Sequence, residues 1–121
     1  MNHKQMVSKF NRIARKVLDD DYFLYKIPDT KGLGGLRPFD SVLLYNGTCY
    51  AIEFKTITDR VKKHQKYFLN KILESGGIPI IVNENEDMDE LLHIIYKQQH
   101  SILKTAFCKY LTHEHRAEKF L

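Results

Sequence analysis

Three residues could do chemistry together in "RPFDSVLLYNGTCYAIEFK": Asp40 at the head of one apolar run, then Glu53 and Lys55 two apart in the next. Alternate side chains of an extended strand share a face, so Glu53 and Lys55 project one way while Tyr50, Ile52 and Phe54 project the other. Asn46-Gly47 between the runs is a strong hairpin signal, because both residues accept the positive φ of a type I′ turn. The fold-back brings Asp40 near Glu53. Two converging carboxylates can hold a hard divalent cation, with an ammonium beside it. The tripeptide E-x-K alone says little, since ordinary composition supplies roughly half a copy per chain of this length. Its setting matters more, because charged residues are seldom buried unpaired inside a run that otherwise reads as a sheet strand. A structural cross-strand ion pair is the competing reading.

The elements that must position these groups follow from periodicity and capping. Met6, Phe10, Ile13 and Val17 predict an amphipathic helix over residues 3 to 18. "YFLYKI", residues 22 to 27, reads as a strand, and the hairpin strands cover residues 39 to 45 and 48 to 55. Thr58 or Asp59 is expected to cap a helix that runs to Ser75 and closes on Gly76-Gly77. "IPIIV", residues 78 to 82, is a further strand; Asp87 with Glu90 resembles a capping box for another helix, and the tail from Ser101 reads as helical. The glycine-rich loop from Pro28 to Pro38 lacks the Gly-Lys-Ser/Thr ending of a phosphate-cradling nucleotide loop. On the second helix Val61, Phe68, Leu69, Ile72 and Leu73 form an inward stripe, and Gln65 falls on it. Burying that amide without partners would cost about 1–3 kcal/mol, so either a buried backbone group or the Asp40, Glu53 and Lys55 pocket should meet it.

A chain of 121 residues with 43% hydrophobic content is expected to form a single domain over residues 1–121. No apolar stretch approaches a membrane span and residues 1 to 16 lack the apolar core of a signal peptide, so the expected setting is cytoplasmic, with no membrane partner. The net charge is +4, unevenly spread. Residues 1 to 18 and 60 to 71 are basic without any acid, which suggests two helix faces turned toward one polyanion, or simply two solvated faces. Cys49 and Cys108 have neither the number nor the spacing of a zinc site or disulfide framework and read as core thiols. His3, His64, His93 and His100 are scattered; His113 and His115 lack an evident third ligand. Tyr22 or Tyr25 could stack on an exposed base, though core packing suits most of the tyrosines.

The order helix, strand, two-stranded hairpin, helix, strand, with Asp opening the hairpin and E-x-K closing it, resembles the core of the PD-(D/E)xK nuclease superfamily over residues 3 to 82. Within it, "GLRPFD", "AIEFKT" and "HQKYFLNKILESGGIPIIV" are similar to the virus-type replication-repair nucleases (VRR-NUC) and the bacterial Holliday junction resolvases. The resemblance implies a restriction-endonuclease-like α/β fold with a mixed central sheet and extra C-terminal helices. It implies a Mg²⁺- or Mn²⁺-dependent DNA endonuclease of phage or bacterial origin, acting on Holliday junctions, flaps or other recombination and repair intermediates, as a homodimer. Asp40, Glu53 and the Phe54 carbonyl would hold the metal, Lys55 would be the catalytic lysine and Gln65 would complete the site. Lys9, Arg12, Lys16, Lys31, Arg37, Lys63 and Lys66 would contact DNA phosphates. The first helix carries no carboxylate where these families often place a third acid; Gln5 is the candidate for that position. A non-catalytic nucleic-acid-binding protein keeping the fold, and a sequence-specific restriction or homing nuclease, are the alternatives.

Overall fold

The computed structural model describes residues 1–28 and 37–111. Lys31, the glycines of the Pro28 to Pro38 loop, His113 and His115 lie outside the described residues. The elements run α1 (His3–Val17), β1 (Tyr22–Lys26), β2 (Ser41–Tyr45), β3 (Thr48–Lys55), α2 (Lys63–Glu74), β4 (Ile78–Asn83), α3 (Met88–Tyr96) and α4 (His100–Cys108). This is a mixed α/β arrangement around a four-stranded sheet of order β1-β2-β3-β4. β1, β2 and β3 pair antiparallel, and β4 joins β3 in parallel through the α2 crossover.

The hairpin turn forms where the sequence places it, because Asn46 and Gly47 take φ of 49° and 79°, the doubly positive pair that matches strand twist in a two-residue turn. The turn sets the register Ser41↔Ile52. The ladder continues one residue further: Asp40 N–H donates to the Ile52 carbonyl and Ile27 N–H donates to the Asp40 carbonyl. Asp40 therefore lies opposite Glu53, on the same face of the sheet.

Each face has its own core. One is built from Met6, Phe10 and Ala14 of α1, Tyr50, Ile52 and Phe54 of β3, and Leu92 and Ile95 of α3, among others. On the other, Leu69 of α2 packs with Phe39, Ala51, Ile81 and Phe107. α4 contributes Leu103 to the first and Phe107 to the second. The basic residues of α1 and α2 thus flank the sheet from opposite sides, rather than forming one basic face.

Several expectations need correction. α2 starts at Lys63, not after Thr58 or Asp59. The Thr56 hydroxyl donates to Asp59 Oδ2 and Asp59 N–H donates to the Thr56 carbonyl, so the expected cap residues are used up in a local turn. Val61 consequently precedes the helix, while still packing against the second core. Phe68 is exposed, meeting the Tyr67 ring edge-on at 5.3 Å, because α2 turns Leu69 to the sheet. On α1 the fully buried stripe is Met6, Phe10 and Ala14, with Ile13 and Val17 at its flank. Neither cysteine is fully buried; both are free thiols at intermediate exposure. No described helix is long and apolar enough to cross a membrane.

Candidate active site

Four charged or amide side chains are buried where α2 meets the end of the hairpin: Asp40, Glu53, Lys55 and Gln65. Each is placed by a local feature. Asp40 sits just before β2, in the ladder position that the Asn46-Gly47 turn assigns it. Glu53 and Lys55 share the α2 face of β3 by the two-residue period of a strand.

Gln65 does two jobs. Its Oε1 accepts the Lys62 N–H at 2.9 Å, satisfying one of the amides left over at the start of α2. Its Nε2 donates to Glu53 Oε2, also at 2.9 Å. The two expectations for this amide, a buried backbone group and the carboxylate pocket, are met together. Glu53 Oε2 also lies 3.2 Å from Lys55 Nζ.

Asp40 is held from three directions. The Phe54 N–H donates to Oδ2 at 2.8 Å, His3 Nε2 lies 3.1 Å from the same oxygen, and Arg37 Nη2 approaches Oδ1 to 2.6 Å as a charge contact. The Phe54 N–H thus points into the site. Glu53 Oε1, buried, accepts no hydrogen bond, and Asp40 Oδ1 is met only by the Arg37 guanidinium. A buried carboxylate oxygen without a donor is costly, and with Asp40 opposite it, Glu53 faces a place where a cation would be stabilised.

The electrostatics agree. Burial, reinforced by the negative charge of Asp40, pushes the Glu53 carboxyl up from its ordinary 4.5 to about 7, against the opposing pull of Lys55 and Arg37. Such a carboxyl is poised to exchange its proton for a metal ion near neutral pH. Among the described residues no three His, Cys, Asp or Glu side chains are grouped to hold a metal. The paired carboxylates Asp40 and Glu53 are the hard oxygen donors of the site, of the kind that suits Mg²⁺ or Mn²⁺.

Gln5 does not reach the site. Its side chain accepts the Asn2 N–H while Asn2 Oδ1 accepts the Gln5 N–H, a reciprocal cap that holds it at the start of α1. His3 reaches Asp40 instead, its ring edge-on to Phe54 at 6.0 Å. The sequence carried a signal for this: His3 extends the inward stripe of Met6 and Phe10 by one turn. Arg37, expected on phosphate, is engaged with Asp40. His64, at the start of α2, bonds the Arg37 backbone; burial and the nearby Lys62 lower its pKa against that bond. Lys9, Arg12 and Lys16 lie along α1, and Lys63 and Lys66 on α2. No protein-family model matches this chain, and no curated protein matches it either.

Proposed function

We propose that this chain is a metal-dependent nuclease that hydrolyses phosphodiester bonds in DNA, on a restriction-endonuclease-like version of the mixed α/β sheet. Junctions, flaps and other branched intermediates are the substrates the sequence resemblance favours. One observation carries the reading: Asp40 and Glu53 are buried opposite each other beside a buried lysine, with Glu53 Oε1 lacking any hydrogen-bond donor and Asp40 Oδ1 met by the partly exposed Arg37. Asp40 and Glu53 would hold Mg²⁺ or Mn²⁺, which when bound activates water and relieves charge on phosphate.

The remaining roles belong to the chain's own groups. Gln65 fixes Glu53, and the Phe54 N–H with His3 fixes Asp40, so both carboxylates are oriented before substrate arrives. Lys55 places a compact positive charge next to Glu53, where it can offset the charge that grows on phosphate in the transition state. Arg37 is the partly exposed cation of the set and can exchange the Asp40 carboxylate for a substrate phosphate. The basic residues of α1 and α2, on opposite sides of the sheet, would grip phosphates at two separate places without reading sequence.

The contact of Arg37 with Asp40 favours one competing reading, a non-catalytic nucleic-acid-binding protein in which two carboxylates and two cations simply neutralise one another. Calorimetric titration with Mn²⁺, paired with cleavage of a branched DNA, separates the two. Binding lost in Asp40→Ala and Glu53→Ala, together with loss of cleavage, is the expected result. A parent chain that binds no Mn²⁺ and cuts nothing would leave the charge-balanced reading standing.

A further inference from the structure

The α2 face of the sheet continues past the carboxylates onto β1 and β2, where α2 no longer covers it. Three large apolar side chains are exposed there: Phe23 at 58%, Tyr25 at 49% and Leu44 at 45%. Their placement follows from register. Ile27 lies beside Asp40, Tyr25 pairs with Val42 and Phe23 with Leu44. Paired residues project to the same face, and Ile27 and Val42 pack into the α2-side core. Tyr25 and Phe23 therefore form a row leading away from Asp40 along the face that carries Glu53. Strand geometry puts their Cα atoms about 8 Å and about 14 Å from that of Asp40. At about 3.4 Å of rise per stacked nucleotide, this spans roughly two to four nucleotides from the site. The two rings lie parallel within 9°, with centroids 6.2 Å apart.

We infer that Phe23 and Tyr25 form a stacking platform for unpaired bases next to the cleavage site, so that the substrate is DNA with a single-stranded segment rather than continuous duplex. This deepens the nuclease reading and rests on it. Planar aromatic side chains exposed beside a backbone-binding site take bases of any sequence, since every base offers a π-face. Area argues against a second copy of the chain as the occupant. Aromatic side chains bury about 150–250 Å² when fully covered, so two half-exposed ones with the smaller Leu44 offer about 300 Å² at most, against about 800 Å² per partner in a stable interface. One or two bases fit the smaller figure. Tyr22, the other candidate for stacking, packs against the α1-side core.

The test uses the double variant Phe23→Ala with Tyr25→Ala. Both residues are exposed, so folding is checked simply by circular dichroism. Binding is read in chelator with two probes: a blunt duplex, and the same duplex bearing a single-stranded overhang that contains 2-aminopurine. The parent should prefer the overhang and quench the fluorophore. The double variant should lose about tenfold to a hundredfold of overhang affinity together with the quenching, and Tyr25→Phe should retain both. Equal affinity of parent and double variant for the overhang would overturn the platform. So would sedimentation showing that the double variant turns a dimer into a monomer, which would make the patch an interface between chains. Mn²⁺ calorimetry reads the carboxylates independently: lost metal binding with intact stacking refutes the nuclease reading alone, and the reverse refutes the platform alone.

Discussion

The two faces of this sheet are packed for different ends. Under α1 and α3 the buried surface is a continuous apolar cluster, in which Phe10 meets Phe54 edge-on at 5.3 Å. Under α2 the cluster is smaller, and Asp40, Glu53, Lys55 and Gln65 are buried at its border. β3 serves both, sending Tyr50, Ile52 and Phe54 to the first and Glu53 and Lys55 to the second. A large apolar cluster can offset the cost of burying charge across a single strand. The contrast implies that substitutions on one face should change stability and leave chemistry alone, while those on the other should change chemistry foremost.

The largest effect expected is on chemistry. Asp40→Ala and Glu53→Ala should each abolish Mn²⁺ binding and DNA cleavage, with thermal unfolding still cooperative; parental cleavage by both variants would end the proposal. On the apolar face, Leu92→Ala should cost about 2–5 kcal/mol of stability in denaturant unfolding, because it leaves a cavity in a fully buried cluster. Its Mn²⁺ affinity should match the parent's, and a large drop would mean that the two faces are coupled.

Acidity distinguishes the faces as well. The folded chain binds the Glu53 proton more tightly than the unfolded chain, where the carboxyl titrates near 4.5. In chelator this group makes stability greatest at low pH; that contribution falls as pH rises from about 4.5 to about 7 and is level above. The swing is on the order of 3 kcal/mol at most. Glu53→Gln should flatten that part of the curve, and an unaltered profile would place the proton elsewhere. Lys55→Ala should keep metal affinity and lose about 10² in turnover, comparable to removing one preorganised charge from a transition state; calorimetry showing metal loss would reassign the lysine to ligand support. Smallest is the contribution of the α1 surface: Arg12→Gln with Lys16→Gln should reduce the slope of log affinity against log salt by about 0.9 per contact. An unchanged slope would make α1 a solvated face.

What could be read from the sequence was local. The Asn46-Gly47 turn needs only its own two φ angles, and once it is set, Asp40 must face Glu53. Gln65 betrayed itself as a polar residue on an apolar stripe. The order of elements followed likewise from periodicity and caps. The start of α2 was misplaced because Thr56 and Asp59 spend their side chains on each other, a choice the residue types allow but do not require. His3 and Arg37 were missed as partners of Asp40 because their contacts depend on how α1 and the segment before β2 dock. Phe68 lies on the predicted stripe yet is exposed, because helical spacing defines a stripe but not the width of sheet available to cover it.

Gln65 joins a helix terminus to a carboxylate, and this makes an ordinary backbone amide into a gauge. The N–H of Lys62 is protected only while the Gln65 side chain holds its place, and that place is shared with Glu53. When the first turn of α2 frays, Glu53 loses a donor at the same moment. Hydrogen exchange at Lys62 therefore reports how often the site comes apart, from a backbone position outside the carboxylate pair.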